Sequence, residues 1–206
     1  KKFQPWGIIL FSRNIKSFMQ LRNLILSIRK IFNDKKYPIL IDQEGGTVSR
    51  LDKIVNFNFF PQNFFGELYK KDKKLFFNYY KAHINNVCYI LKKLGINLNN
   101  VPMLDLRRKK SHNIIGSRSY SDNEAVVSQL GKILIDQYKK NKIGTVMKHI
   151  PGIGLSNCDS HFKTPIIKAS KKELIKKDFK PFKNCKSTFA MTGHAIYLSY
   201  DKNYTA

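Results

Sequence analysis

Five short apolar runs, each closing on a polar residue, alternate with longer helical patterns, and this alternation restricts the chain to a parallel β/α architecture. Residues 7–11 (Gly-Ile-Ile-Leu-Phe) read as a buried strand. Residues 17–31 then place Phe18, Leu21, Leu24, Ile25, Ile28 and Ile31 on one helical face. Residues 37–41 form a second strand, 73–94 a second helix and 96–104 a third strand. A helix capped by Ser121 and Asp122 runs to about Lys140, and residues 143–147 are the fourth strand. Ser170 and Glu173 have capping-box spacing at the start of a helix over 170–182, and a fifth strand covers 188–191.

An open doubly wound sheet and a closed barrel both fit this order. No GxGxxG or GxxxxGK[ST] follows any strand, so nucleotide cradling has no support. The strand exits carry Arg13-Asn14, Asp42-Gln43-Glu44, Asp105, Lys148-His149 and His194. A TIM barrel builds its active site from several strand ends at once, and a complete one needs eight strands and roughly 250 residues. The expectation is therefore a partial TIM (β/α)8-like barrel with about five of eight strands. Residues 1–206 would form a single catalytic barrel domain, truncated at both ends.

Composition narrows the function. Lys and Arg total 38 against 14 Asp and Glu, a net charge of +24 that would attract phosphate whatever the fold. Lysines outnumber arginines 31 to 7 and fall in pairs on helical faces, whereas nucleic-acid readers lean on arginine forks. No specific nucleic-acid partner is expected. No run approaches the ~18 uninterrupted apolar residues of a membrane span, and no signal peptide opens the chain. A soluble, cytoplasmic protein is expected, without a membrane or obligate protein partner. Cys88, Cys158 and Cys185 are odd in number and widely spaced, which suits neither a disulfide framework nor zinc. No metal and no cofactor are expected.

Three constellations carry chemistry. In Asp42-Gln43-Glu44-Gly45-Gly46, a buried strand delivers two carboxylates to its exit, and two glycines permit backbone that a Cβ would forbid. Such carboxylates grip sugar hydroxyls or a cation, or else are solvated acids of a turn. Gly116-Ser117-Arg118-Ser119-Tyr120 presents a planar donor fork, suited to hydroxyls, to carboxylates or to loop carbonyls. Lys148-His149 stands at a strand end before a Pro/Gly loop that leads to Asp159-Ser160-His161. An Asp beside a His fixes its tautomer and leaves the other ring nitrogen for proton transfer. Other readings of that loop are a cation site with His149, Asp42 and Glu44, or a nucleophilic Cys158.

Taken together, Phe11-Ser12-Arg13-Asn14, Asp42-Gln43-Glu44-Gly45-Gly46 with Arg50, Gly116-Ser117-Arg118-Ser119-Tyr120, Lys148-His149 with Pro151-Gly152 and Gly154, Asp159-Ser160-His161 and Gly193-His194-Ala195-Ile196-Tyr197 occur in the order seen in glycoside hydrolase family 3. The chain most resembles that family's bacterial β-N-acetylhexosaminidases of peptidoglycan recycling, over essentially its whole length.

The resemblance implies a retaining β-N-acetylglucosaminidase that removes terminal β-linked N-acetylglucosamine from muropeptides through a covalent glycosyl-enzyme. His161 matches the general acid/base and Asp159 its partner. Asp42, Arg50, Arg118, Lys148 and His149 match residues that bind the sugar. The usual Pro-Gly-His-Gly reads Pro151-Gly152-Ile153-Gly154 here. The family's nucleophile is an Asp beyond the stretch that matches Gly193 to Tyr197, and no acid of this chain matches it. The 206 residues alone are therefore expected not to turn over. The alternatives are a non-catalytic sugar-binding remnant, and a member acting on another β-glycoside or by phosphorolysis.

Overall fold

The computed structural model describes residues 3–109, 112–159 and 162–205. In chain order the elements are β1 (Ile8–Leu10), α1 (Phe18–Phe32), β2 (Ile39–Ile41), α2 (Gln62–Lys71), α3 (Lys73–Leu94), β3 (Leu98–Asn99), α4 (Glu124–Lys140), β4 (Gly144–Ile150), β5 (Ile166–Ile167), α5 (Lys171–Lys176), α6 (Lys180–Asn184), β6 (Phe189–Thr192) and β7 (Ile196–Tyr197). Five strands pair in parallel in the order β1-β2-β3-β4-β6, and β5 and β7 form a separate parallel pair.

The sheet curls. Trp6, just before β1, meets Phe189 of β6, the strand at the other edge, with ring centroids 5.1 Å apart. The result is a half-barrel with helices outside, the partial TIM-like fold expected from the sequence. The five strands of the larger sheet point the same way, so their exits open on one face.

Helical spacing produces the main core. Leu21 and Ile25 of α1, Phe76, Tyr80, Ile84, Val87 and Leu91 of α3, and Val127, Leu130 and Leu134 of α4 are buried with Leu10, Ile39 and Ile41 of the strands. A second cluster, with Met103, Ile115, Ile153, Ile167, Leu174, Ala195 and Tyr197, joins β3's exit, the loop after β4 and the small sheet.

Local chemistry refines several boundaries. The third strand enters the ladder only at Leu98 and Asn99, since Pro102 has no N–H to continue it. The chain still runs beside β4, with the Leu104 amide donating to the Lys148 carbonyl. Asn123 caps α4 in place of Ser121 and Asp122: its side-chain oxygen accepts from the amides of Ala125 and Val126. Ser170 does cap α5 by accepting from Glu173's amide, but Glu173's carboxylate turns away to Arg108. The 170–182 helix is two helices, and Pro181 in the first turn of α6 explains the break. Helix α2 carried no sequence expectation.

Candidate active site

Asp42, Gln43 and Glu44 leave β2 together, and Asn99 of β3 fixes the turn from both sides. Its Oδ1 accepts from the Gln43 amide and its Nδ2 donates to the Gln43 carbonyl, both at 2.9 Å. Gln43's own side chain reaches forward, its Oε1 accepting from the amides of Arg50 and Leu51. Gly45 has φ +90°, and a Cβ there would sit 2.5 Å from the Phe60 carbonyl oxygen. The acid–Gly-Gly segment is thus a backbone requirement, and it returns Arg50 to the side chain of Asp42.

Two acids and two cations then interlock. Lys148 of β4 places its Nζ 2.9 Å from Asp42 Oδ1 and 2.6 Å from Glu44 Oε1. Arg118 grips Glu44 with a planar fork, Nε to Oε2 at 2.9 Å and Nη2 to Oε1 at 2.8 Å. Glu44 and Lys148 have almost no side-chain exposure. Burial alone would push the Glu44 carboxyl up, but Lys148 and Arg118 outweigh it and hold Glu44 at about 2. Asp42 is also drawn below the ordinary carboxylate range, with burial opposed by Lys148 and a hydrogen bond from Asn100.

Among the described residues, only one oxygen of the buried Asp42 accepts hydrogen bonds. Its Oδ1 serves Lys148 and Asn100, whereas Oδ2 lies 3.8 Å from Arg50 Nη2, longer than a hydrogen bond. Among the described residues, the buried Arg50 Nε has no hydrogen-bond partner. An ionised acceptor and a guanidinium donor therefore stand side by side with capacity to spare, an arrangement that suits a hydroxyl-rich ligand.

A separate pair lies one residue further along β4. His149 Nδ1 is 2.7 Å from Asp105 Oδ2, which also accepts from the His149 amide. Asp105 Oδ1 accepts from the Ile153 amide at 2.8 Å. The buried carboxylate orients the imidazole and roots the loop that follows. That loop continues to Asp159, whose carbonyl accepts from the amides of Phe162 and Lys163. His161, the expected acid/base, lies outside the described residues. Ile153 is buried in the second core cluster. Among the described residues, no group of three or more His, Cys, Asp or Glu is placed to hold a metal, and no helix is long and apolar enough to cross a membrane.

The whole chain, residues 1–206, matches the model of the glycosyl hydrolase family 3 N terminal domain. The chain belongs to glycosyl hydrolase family 3. A beta-hexosaminidase of Nitrosomonas eutropha is 32% identical over 203 residues, covering 96% of this chain and 57% of that protein. The crystal structure of native NagZ from Neisseria gonorrhoeae superposes with a TM-score of 0.86 at 28% identity, over 97% of this chain and 58% of that one. NagZ from the same organism in complex with N-trifluoroacetyl-D-glucosamine gives 0.81 at 28% identity, over 97% and 59%. The chain spans less than two thirds of each of these proteins.

Within this family 3 fold, Asp42, Arg50, Arg118 and Lys148 gather in one cluster, and His149 follows Lys148 on β4. His194 and Arg13, also strand-exit residues, are exposed. The sequence offered Glu44 as a carboxylate for sugar hydroxyls or a cation and singled out Asp105 as a strand-exit acid without a role; Glu44 joins both cations and Asp105 holds His149. Asn99 and Asn100 escaped notice, since an asparagine at a strand end is a common turn residue with no distinguishing spacing.

Proposed function

We propose that this chain forms the sugar-binding and acid/base part of a retaining β-N-acetylglucosaminidase. Its substrate would be terminal β-linked N-acetylglucosamine on peptidoglycan-derived muropeptides, in the cytoplasm. The observation that carries the reading is the Asp42 oxygen that faces Arg50 while Lys148 holds the other, at the exits of parallel strands. The N-trifluoroacetyl-D-glucosamine bound by NagZ from Neisseria gonorrhoeae supports the sugar class.

In this reading Asp42 accepts from sugar hydroxyls, while Arg50, Arg118, Lys148 and His149 line the same subsite. His161, oriented by Asp159, protonates the glycosidic oxygen as a carboxylate attacks C1, so the C1–O bond breaks as the glycosyl–enzyme bond forms. The deprotonated His161 then takes a proton from water, which hydrolyses the intermediate and regenerates the acid. The donor is the imidazolium and its conjugate base is neutral, so His161 never sets a second negative charge across C1 from the attacking carboxylate. The reading assigns attack to an Asp outside these 206 residues and gives the 206 residues alone no turnover.

The test is hydrolysis of a chromogenic β-N-acetylglucosaminide by a protein spanning the full length of the curated relatives, beside the 206-residue chain and His161→Ala, with and without phosphate. Turnover by the longer protein, reduced by the mutation and independent of phosphate, is expected. Rate dependence on phosphate would replace hydrolysis by phosphorolysis. A folded longer protein that binds the sugar without turnover would move the non-catalytic reading ahead.

A further inference from the structure

Gln62 opens α2 and is only 3% exposed, an unusual burial for a glutamine. Its amide is spent on backbone outside its own helix. Nε2 donates to the carbonyls of Met103 at 3.0 Å and Arg118 at 2.5 Å, and Oε1 accepts from the Met103 amide at 3.3 Å. Met103 bridges Lys148 across the sheet. One side chain thus ties the backbone beside one cation of the cluster to the backbone of the other, and both cations hold Glu44.

The same helical face makes a second contact with the Arg118 loop. Gly66 lies four residues after Gln62, and a Cβ on it would fall 1.7 Å from the Tyr120 carbonyl oxygen. Helix and loop therefore meet backbone to backbone, and Gln62 fixes their register through directed hydrogen bonds where apolar packing alone would allow sliding.

We propose that Gln62 is a positioning residue: it sets the Arg118 loop against the β3–β4 exits, so that Arg118 and Lys148 close on Glu44 and shape the sugar subsite. Only the sugar-affinity part of this proposal rests on the reading of the cluster as a glycosidase subsite. The geometric part stands on the protein alone.

The experiment compares wild type, Gln62→Leu and Gln62→Glu, with Gln137→Leu as a control that removes an amide from α4 away from the site. Glu44 is titrated by carboxyl ¹³C NMR, exchange of the Arg118 Nε–H is followed by ¹⁵N NMR, and N-acetylglucosamine affinity is measured by calorimetry. In folded Gln62→Leu, Glu44 should titrate above its wild-type value of about 2. Arg118 Nε–H exchange should quicken and the sugar Kd should rise, each by roughly tenfold; Gln137→Leu should move none of these. Gln62→Glu keeps the acceptor for Met103 but loses the donor, and should show the same signature if Gln62→Leu does not fold. A folded variant that melts earlier with Glu44 and Arg118 unchanged would overturn the proposal, as would failure of both variants to fold. Absence of N-acetylglucosamine binding by wild type would count against the sugar reading, while the Glu44 and Arg118 signals would still decide the positioning.

Discussion

The strand exits of β2 and β4 and the loop that leaves β4 both carry polar chemistry, and they hold it differently. At the exits, Lys148 and Arg118 pair with Asp42 and Glu44 in a buried cluster that leaves one Asp42 oxygen facing Arg50. The loop leaves β4 through Pro151 and Gly152, is attached at Ile153 to Asp105, and runs on through Gly154 to Asp159. Groups that must hold a ligand in one orientation sit best on strands, where neighbouring elements fix them. The proposed function puts the group that gives and then takes a proton on the loop, which is tethered at its root. In the proposed function, grip on the sugar belongs to the exits and proton transfer to the loop that follows β4.

The largest expected effect comes from breaking the exit cluster. Lys148→Met leaves two buried carboxylates without their shared cation and should cost about 3–5 kcal/mol in urea denaturation; a loss under about 1 kcal/mol would mean that the acids are not held by this lysine. Acid should reach the same cluster selectively. Glu44 titrates at about 2 in the fold against 4.5 ordinarily, so the unfolded chain binds the proton first. Its contribution is fully present above pH 4.5 and drains away as pH falls toward about 2. That acid-linked loss should shrink in Lys148→Met.

Asp105→Asn probes the other region. One carboxylate serves two backbone amides and His149, and its replacement should cost about 1–3 kcal/mol while leaving the Glu44 titration in place. A shift of Glu44 in this variant would show that the two regions act as one. Arg118→Lys keeps the charge and loses the planar fork, and should weaken N-acetylglucosamine binding by roughly tenfold in calorimetry. Arg50→Ala should have the smallest effect on stability, within about 1 kcal/mol, because its contact with Asp42 is long and partly exposed, yet it should still lower sugar affinity.

Much of this was legible in the sequence. The helix over 73–94 coincides with α3, and the strand exits deliver the acids, Lys148 and His149 to one face, because burial on both sides leaves parallel strands as plain apolar runs. The family was legible because its motifs occur together and in order. Helix α2 was not, since Phe64 and Phe65 follow Pro61 in a segment without a clear period. Nor was the split at Pro181 foreseen, where the capping pattern of Ser170 outweighed a proline inside the helix. Glu44's part depends on two cations far along the chain, and Gln62's on Met103 and Arg118, partners that no local pattern connects.

The proposed division between grip and proton transfer is tested most directly by kcat/KM for a series of β-N-acetylglucosaminides with increasingly poor leaving groups, in a protein spanning the relatives' length. His161→Ala should nearly spare substrates whose leaving groups need no proton and lose progressively more with poorer ones, whereas Lys148→Met should lose activity evenly across the series. An even loss in His161→Ala, or no loss with the poorest leaving group, would contradict the account.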